Sequence, residues 1–375
     1  MIGSIALKNM LHEPARFCVT VAGIGFSLVL LTVQLGLLSG FDRTISALLD
    51  HAKADLWIVP TGTAAFDDPT LLENSERFTA LATKGVARVD PLIVGFAEWR
   101  RPRGGSTSVI VVGSEPRLAT LAPWDIVSGK AEDLKAPDSV AVDETYAEQL
   151  GVEKTGDLAR IEGLLARVAV ITKGIRSFTT SPYIFSSLSQ ARAFLNTDSS
   201  RTSFLAVTLS ATGDPRAVQG KLSSKLRNVE VLTRAEFRRR NVEHWLLHTG
   251  AGIALLGGAA LAALVGSVIM TQTLYASIND HRKEFATLRA MGCSKGFLRA
   301  VVLCQAAIAA AAGCLLAAAV DAAVVSAVAD SSMPLNISVA LSGVLLVLAF
   351  IMSAVSAFVA TSKIASVDPA SVFAQ

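Results

Sequence analysis

The chain has 375 residues, 51% hydrophobic and 17% charged, with a mean hydropathy of +0.49. Soluble domains carry roughly 25% charged residues, so a single water-soluble globule is excluded, and the same apolar content excludes disorder. The formal net charge of +3 comes without a long Lys/Arg block, which leaves nucleic-acid binding without support.

Charge is unevenly placed. Three Lys, Arg, Asp or Glu residues fall in 1–39 and eleven in 245–375, and about one residue in four is charged between them. The pattern predicts one water-facing domain framed by membrane. A bilayer core of about 30 Å and a rise of 1.5 Å per residue call for roughly 20 apolar residues per span.

In chain order, residues 1–16 form a short cytoplasmic segment and 17–39 the first span. Its uncharged stretch exceeds the roughly 7–15-residue core of a signal peptide, so it reads as an uncleaved anchor. Residues 40–245 form a mixed α+β domain, because strand-like and helix-like runs alternate there. Strands are expected at 55–59, 108–112, 139–142, 166–172, 183–185, 204–209 and 229–232. Helices are expected at 70–82, 144–150, 188–196 and 215–226, the last opening on Gly213-Asp214 with proline at its first turn.

Three further spans follow at 246–272, 300–321 and 335–361, separated by a loop at 273–299 and a short external loop at 322–334, with a tail at 362–375. Lys8 and Arg16 precede the first span, five basic residues from Arg282 to Arg299 fill the 273–299 loop, and Lys363 follows the last span. The positive-inside rule therefore puts both termini and that loop in the cytoplasm and the large domain outside. Arg238, Arg239 and Arg240, just before span two on the outer side, run against the rule. Long translocated domains escape it, and such side chains can snorkel to head groups. The four cysteines, Cys18, Cys293, Cys304 and Cys314, all lie in or beside the spans or in the cytoplasmic loop. The external domain is thus expected to have no disulfide.

Few residues propose chemistry. Phosphate cradling needs G-x-x-x-x-G-K-[ST], and the nearest string, 213–222, has the wrong spacing and Leu222 after Lys221. ATP hydrolysis is therefore not expected from this chain, nor is any cofactor. Glu243, His244 and His248 place two imidazoles one turn apart, but two His make an incomplete metal site and suit a membrane interface without one. Asp321 falls at the outer end of span three, where an interfacial acid is the plainer reading and an ion relay the sharper one. Gln34 and Gln305 can hydrogen-bond between helices.

Two stretches say more. Gly250, Ala254, Gly258, Ala262 and Gly266 recur every fourth residue in span two, a stripe that lets another helix approach closely, in this chain or at a dimer seam. In the 273–299 loop, Ile278, Phe285, Leu288 and Met291 form an apolar helical stripe while Arg282, Lys283, Glu284 and Arg289 stay polar. Gly292 can end that helix and Ser294 can cap the next. Such an amphipathic helix lies in the head groups or docks into a cytoplasmic partner.

The string Arg282-x-Glu284-x-x-x-Leu288-Arg289-Ala290-Met291-Gly292-Cys293-Ser294, directly before a span, resembles the signature loop of FtsX-like, MacB-like ABC transporter permeases. The layout of one span, a domain of about 200 residues and three closely spaced spans is similar to theirs. Ala54-Asp55-Leu56-Trp57-Ile58-Val59 and Thr233-Arg234-Ala235-Glu236-Phe237 resemble the DevC-like branch. The resemblance implies a permease in a bacterial inner membrane that pairs with a second permease copy, binds a separate cytoplasmic ABC ATPase subunit, and works on a periplasmic membrane-fusion adaptor, lipid or other cargo by mechanotransmission. It assigns Arg282, Glu284, Phe285, Leu288, Arg289, Met291 and Gly292 to ATPase coupling. It also divides the domain into a core of about 40–100 and 200–245 and an outer lobe of about 101–199. The rival from another class is a membrane-anchored ligand-binding receptor or sensor, which the short cytoplasmic segments do not favour.

Overall fold

The computed structural model describes residues 3, 14–115, 120–179, 181–211, 213–280, 287, 291, 293–328 and 337–362. Among the described residues, four helices are long and apolar enough to cross a membrane: α1 (Pro14–His51), then, after the inserted domain, Gly250–Asp280, Lys295–Val328 and Val339–Ser362.

Among the described residues, the inserted domain carries twelve strands. In chain order come β1 (Leu56–Pro60), β2 (Leu72–Glu73), α2 (Glu76–Leu81), β3 (Val86–Arg100), β4 (Ser106–Ser114), β5 (Ile126–Ser128), β6 (Ser139–Asp143) and α3 (Ala147–Leu150). Then follow β7 (Leu158–Ile161), β8 (Leu164–Thr172), β9 (Tyr183–Ser187), α4 (Leu188–Phe194), β10 (Arg201–Thr202), β11 (Phe204–Leu209), α5 (Pro215–Lys225), β12 (Val229–Thr233) and α6 (Arg234–Leu247). All seven expected strands are present. The expected helix over 70–82 is shorter: residues 72–73 pair with β10 instead, and the helix opens only at Glu76.

The longest strand, β3, belongs to two ladders. Val86–Leu92 pairs with β11 in the order β12-β1-β11-β3, and Ile93–Arg100 pairs with β4. From there the pairings close on themselves: β4 meets β9, β9 meets β6, β6 meets β8, β8 meets β7, and β7 returns to β3 at Trp99 and Arg100. A closed ring of six strands has no edges to protect. The two-residue pleat sorts its side chains. Ile93, Ala97 and Trp99 of β3 and Val109 and Val111 of β4 join one buried cluster, while Leu92, Val94, Ile110 and Val112 join another.

The β12-β1-β11-β3 ladder is covered on both faces, which explains why β1 is buried at every position. Leu56, Ile58, Leu205 and Val207 pack with Val218 and Leu222 of α5. On the other face Trp57, Val59, Phe204 and Ala206 pack with Leu48 and Leu49 of α1 and Phe237 of α6. α5 starts as expected: Asp214 accepts the Ala217 amide, and Pro215 occupies the first turn, where a missing N–H costs nothing.

The spanning helices form a second unit with the first part of α1: α7 (Gly250–Asp280), α8 (Lys295–Val328) and α9 (Val339–Ser362). Their core is rich in alanine, with Ala306, Ala309, Ala317, Ala349 and Ala357 around Ile24, Leu28 and Met270. In lipid, packing rather than water exclusion holds helices together, and small residues permit close approach. A Cβ on Gly313 would lie 2.4 Å from Ile24 Cγ2. Gln34 donates to the Leu255 carbonyl at 3.0 Å, and Ser356 to Ser267 at 3.0 Å, each bonding one helix to another.

Candidate functional site

Within the inserted domain, the end of α1 and α6 are tied by polar contacts. Asn241, fully buried, donates to the Ile45 carbonyl at 2.7 Å and accepts the Phe66 amide at 2.9 Å, so one amide serves two segments. Arg238 bonds Asp42 at 2.7 Å and reaches Asp50 at 3.4 Å. Burial disfavours its charge, but the two carboxylates outweigh this and raise its pKa. Arg240 bonds Glu230 at 2.5 Å and the Thr63 carbonyl at 3.4 Å, and its guanidinium lowers the Glu230 pKa. Two of the three arginines that oppose the positive-inside rule are thus held in ion pairs of the domain.

The two domain motifs singled out in the sequence meet. β1 pairs with β12, setting Trp57 opposite Leu232 and Leu56 opposite Thr233, and Arg234 donates twice to the Ala54 carbonyl at 2.8 and 3.0 Å. Thr233 and Glu236 form a reciprocal capping box that starts α6. The Thr233 amide, the foremost cause, lowers the Glu236 pKa. Trp57 and Phe237, one from each motif, lie with ring centroids 5.7 Å apart, and Phe66 and Phe204 complete the cluster.

Beside this cluster is a contact the sequence did not reveal. Asp67, 4% exposed, accepts the Tyr183 hydroxyl at 2.9 Å. Burial raises the Asp67 pKa to about 6. Burial likewise raises the Tyr183 phenol, and Asp67 adds to it, so the tyrosine keeps its proton as donor. The residues are 116 positions apart, and neither carries a local motif.

The coupling residues Arg282, Glu284, Phe285, Leu288, Arg289 and Gly292 lie outside the described residues. Met291 is exposed at 69%, and its amide donates to the Thr287 carbonyl at 3.0 Å. Ser294 accepts the Phe297 amide at 3.2 Å, capping α8 as its position implies. Ile278, the first residue of the apolar stripe, is buried in the bundle core.

The small-residue stripe of α7 is divided. A Cβ on Gly258 would meet Gln34 Nε2 at 2.1 Å, and one on Gly266 would meet Met352 Cε at 2.6 Å and Ser27 Cβ at 2.9 Å. Ala262 between them is buried. These three face α1 and α9 of the same chain. Ala254 and Gly250 are exposed. The His244 and His248 rings stack with centroids 5.9 Å apart, and among the described residues no group of three His, Cys, Asp or Glu converges to hold a metal.

Among the described residues, a mixed α/β domain inserted after the first of four helices long and apolar enough to cross a membrane defines a multi-pass membrane protein. The model of the MacB-like periplasmic core domain matches residues 17–225, and that of the FtsX-like permease C-terminal matches 256–369. The chain belongs to the FtsX-like, MacB-like permeases, membrane subunits of ABC transporters that work with an ABC ATPase partner.

Among solved structures the chain is similar to the periplasmic region of MacB from Actinobacillus actinomycetemcomitans: 12% identity, 52% of this chain and 96% of that one covered, TM-score 0.39. It is also similar to the extracellular domain of the noncanonic ABC-type transporter YknZ from Gram-positive bacteria, at 12% identity, 48% and 99% coverage and TM-score 0.35. A domain of a putative permease protein from Porphyromonas gingivalis matches at 11% identity, 49% and 89% coverage and TM-score 0.32. No significant match is found among curated proteins.

Proposed function

We propose that this chain converts ATP hydrolysis by a separate cytoplasmic ATPase into movement of its periplasmic domain, for export or extraction of a substrate from a bacterial inner membrane. The observation that carries this reading is the string from Arg282 to Ser294, set in the connection between α7 and α8. An apolar stripe of Phe285, Leu288 and Met291 flanked by Arg282, Glu284 and Arg289 has the chemistry of a helix that inserts into a groove of a partner protein. The exposure of Met291 supports this, because a large apolar side chain held outward has most to gain from being covered.

Transmission needs a route from bundle to domain, and the chain supplies two. α1 places Ile24 and Leu28 in the bundle core and Leu48 and Leu49 in the domain core. The return passes through α6 and α7. The ties from Arg238 and Asn241 to the end of α1 join both routes within the domain. On this reading both termini are cytoplasmic, residues 273–299 are the coupling loop, and residues 40–100 and 200–245 form the domain core below an outer lobe at 101–199. A second copy of the permease completes the transporter, with lipid and a membrane-fusion adaptor as further partners.

The test is purification of the tagged chain from its native membrane, with mass spectrometry and an ATPase assay on what accompanies it. A nucleotide-binding subunit should be recovered. Leu288→Asp or Met291→Asp should abolish stimulated ATPase activity or recovery of the complex while membrane insertion is unchanged. Unaltered activity and recovery in both variants would sink the coupling assignment, and recovery of no ATPase in mild detergent would favour the anchored receptor.

A further inference from the structure

The membrane unit holds a cavity of about 570 Å³, bordered by Leu28 and Thr32 of α1, Cys314, Asp321 and Val325 of α8, and Leu345 of α9. That volume is in the range of sites that enclose small organic ligands. Its wall is aliphatic apart from the Cys314 thiol, a few hydroxyls and Asp321. None of the described lining residues is basic.

The hydroxyls bond within their own helices. Thr32 donates to the Leu28 carbonyl at 2.8 Å, Ser326 to Ala323 at 2.8 Å and Ser342 to Ser338 at 3.3 Å, each within its own helix. Asp321 is hydrogen-bonded to Thr32, while its Oδ1 is buried and has no hydrogen-bond partner. A carboxyl oxygen held without a donor in an apolar site is costly, and acids at such positions in spanning helices are candidate ligand or ion sites. Apolar wall and half-matched acid together suit a complementary molecule: a hydrocarbon chain for the wall, and a cationic hydrogen-bond donor for the free oxygen.

We propose that this cavity binds a cationic amphiphile, a primary ammonium group on a hydrocarbon chain. The ammonium donates to Asp321 while the chain lies along Leu28, Val325 and Leu345. An ammonium suits the site better than a hydroxyl because it brings both the missing donor and the opposite charge. The ammonium can come from a free long-chain amine or from the head group of an ethanolamine lipid. The proposal is independent of ATPase coupling, since it rests on the bundle alone.

The probe is radiolabelled dodecylamine, bound at equilibrium to the full chain in phosphatidylcholine nanodiscs, with empty nanodiscs subtracted. Binding should saturate near one molecule per chain and be displaced by unlabelled dodecylamine but not by dodecyl sulfate. Asp321→Asn should weaken it about tenfold or more, as losing one partner of a buried charged pair does. Ala318→Phe, at another residue that lines the cavity, fills it while leaving the acid in place and should abolish binding. Displacement by phosphatidylethanolamine in the disc would identify lipid as the occupant, and its failure would identify the free amine. No saturable binding above empty discs, or full affinity in either variant, would overturn the proposal. Thermal unfolding of each variant separates loss of the site from loss of the fold, and if Asp321→Asn does not fold, Ala318→Phe decides.

Discussion

Replacing Asp67 by asparagine tests the argument that a buried acid governs how the inserted domain responds to pH. Asp67 is 4% exposed, and its pKa in the folded domain is raised from 3.8 to about 6, chiefly by burial. A raised folded-state pKa means that the native state holds the proton more tightly than the unfolded chain. The stabilisation is therefore complete below pH 4 and declines as pH rises towards 6. It is gone by about pH 7, because the domain must then bury a charge or hold a proton against the solution. At about 1.4 kcal/mol per decade of proton affinity, the loss from pH 4 to pH 7 is about 3 kcal/mol. Asparagine keeps an oxygen for the Tyr183 hydroxyl and does not titrate. Unfolding of the full chain in nanodiscs by urea, followed by pulse proteolysis of the domain at pH 5 and 7.5, measures the difference. With a slope of about 2 kcal/mol per molar urea, the wild-type midpoint should fall by 0.5–1 M more than that of Asp67→Asn over this interval. Equal pH dependence in the two proteins would refute the assignment, as would a wild-type midpoint that rises with pH while the variant's stays level.

Two further substitutions test packing claims. Asn241→Ala strands the Phe66 amide and removes a side-chain bond to the Ile45 carbonyl, and should cost about 1–3 kcal/mol of domain stability, measured by the same urea midpoint. Gly266→Leu pushes a side chain into Met352 and Ser27, and overpacking of this kind should cost about 1–3 kcal/mol, measured as a lower thermal midpoint of the bundle in detergent.

Where a segment alternates cleanly and is bounded by turn residues, the sequence is a sound guide, and all seven strands read that way are present. β3 shows why others escape. It contains Asp90, Pro91 and Gly95, residues that ordinarily break strands, so the longest strand of the domain goes unnoticed. Pro91 is tolerated because Val86–Leu92 has a strand partner on one side, β11, so the missing N–H can face the open edge. Gly95 leaves room for packing: a Cβ there would stand 3.0 Å from Leu195 Cδ2, so that side chain would have to give way. A local pattern cannot anticipate a strand divided between two ladders, since the reason for its breakers lies in elements a hundred residues away.

The sites divide along the same line. The arginines before span two look like a violation of charge topology when only nearest neighbours are counted. Arg238 is matched by Asp42 and Asp50, almost two hundred residues earlier, and Arg240 by Glu230, so these cations are bound up within the domain and are not free to steer topology. The same distance hides Asp67 and Tyr183. The loop from Arg282 to Ser294 is the opposite case: nothing in the chain needs to fold onto it for its pattern to be seen, because stripe, charges and terminating glycine are all local. A surface shaped to meet another protein has to be written contiguously, whereas a surface shaped to meet the rest of its own chain can be written anywhere. That asymmetry is why the proposed docking segment is the most legible part of this sequence and the buried ties behind it are the least.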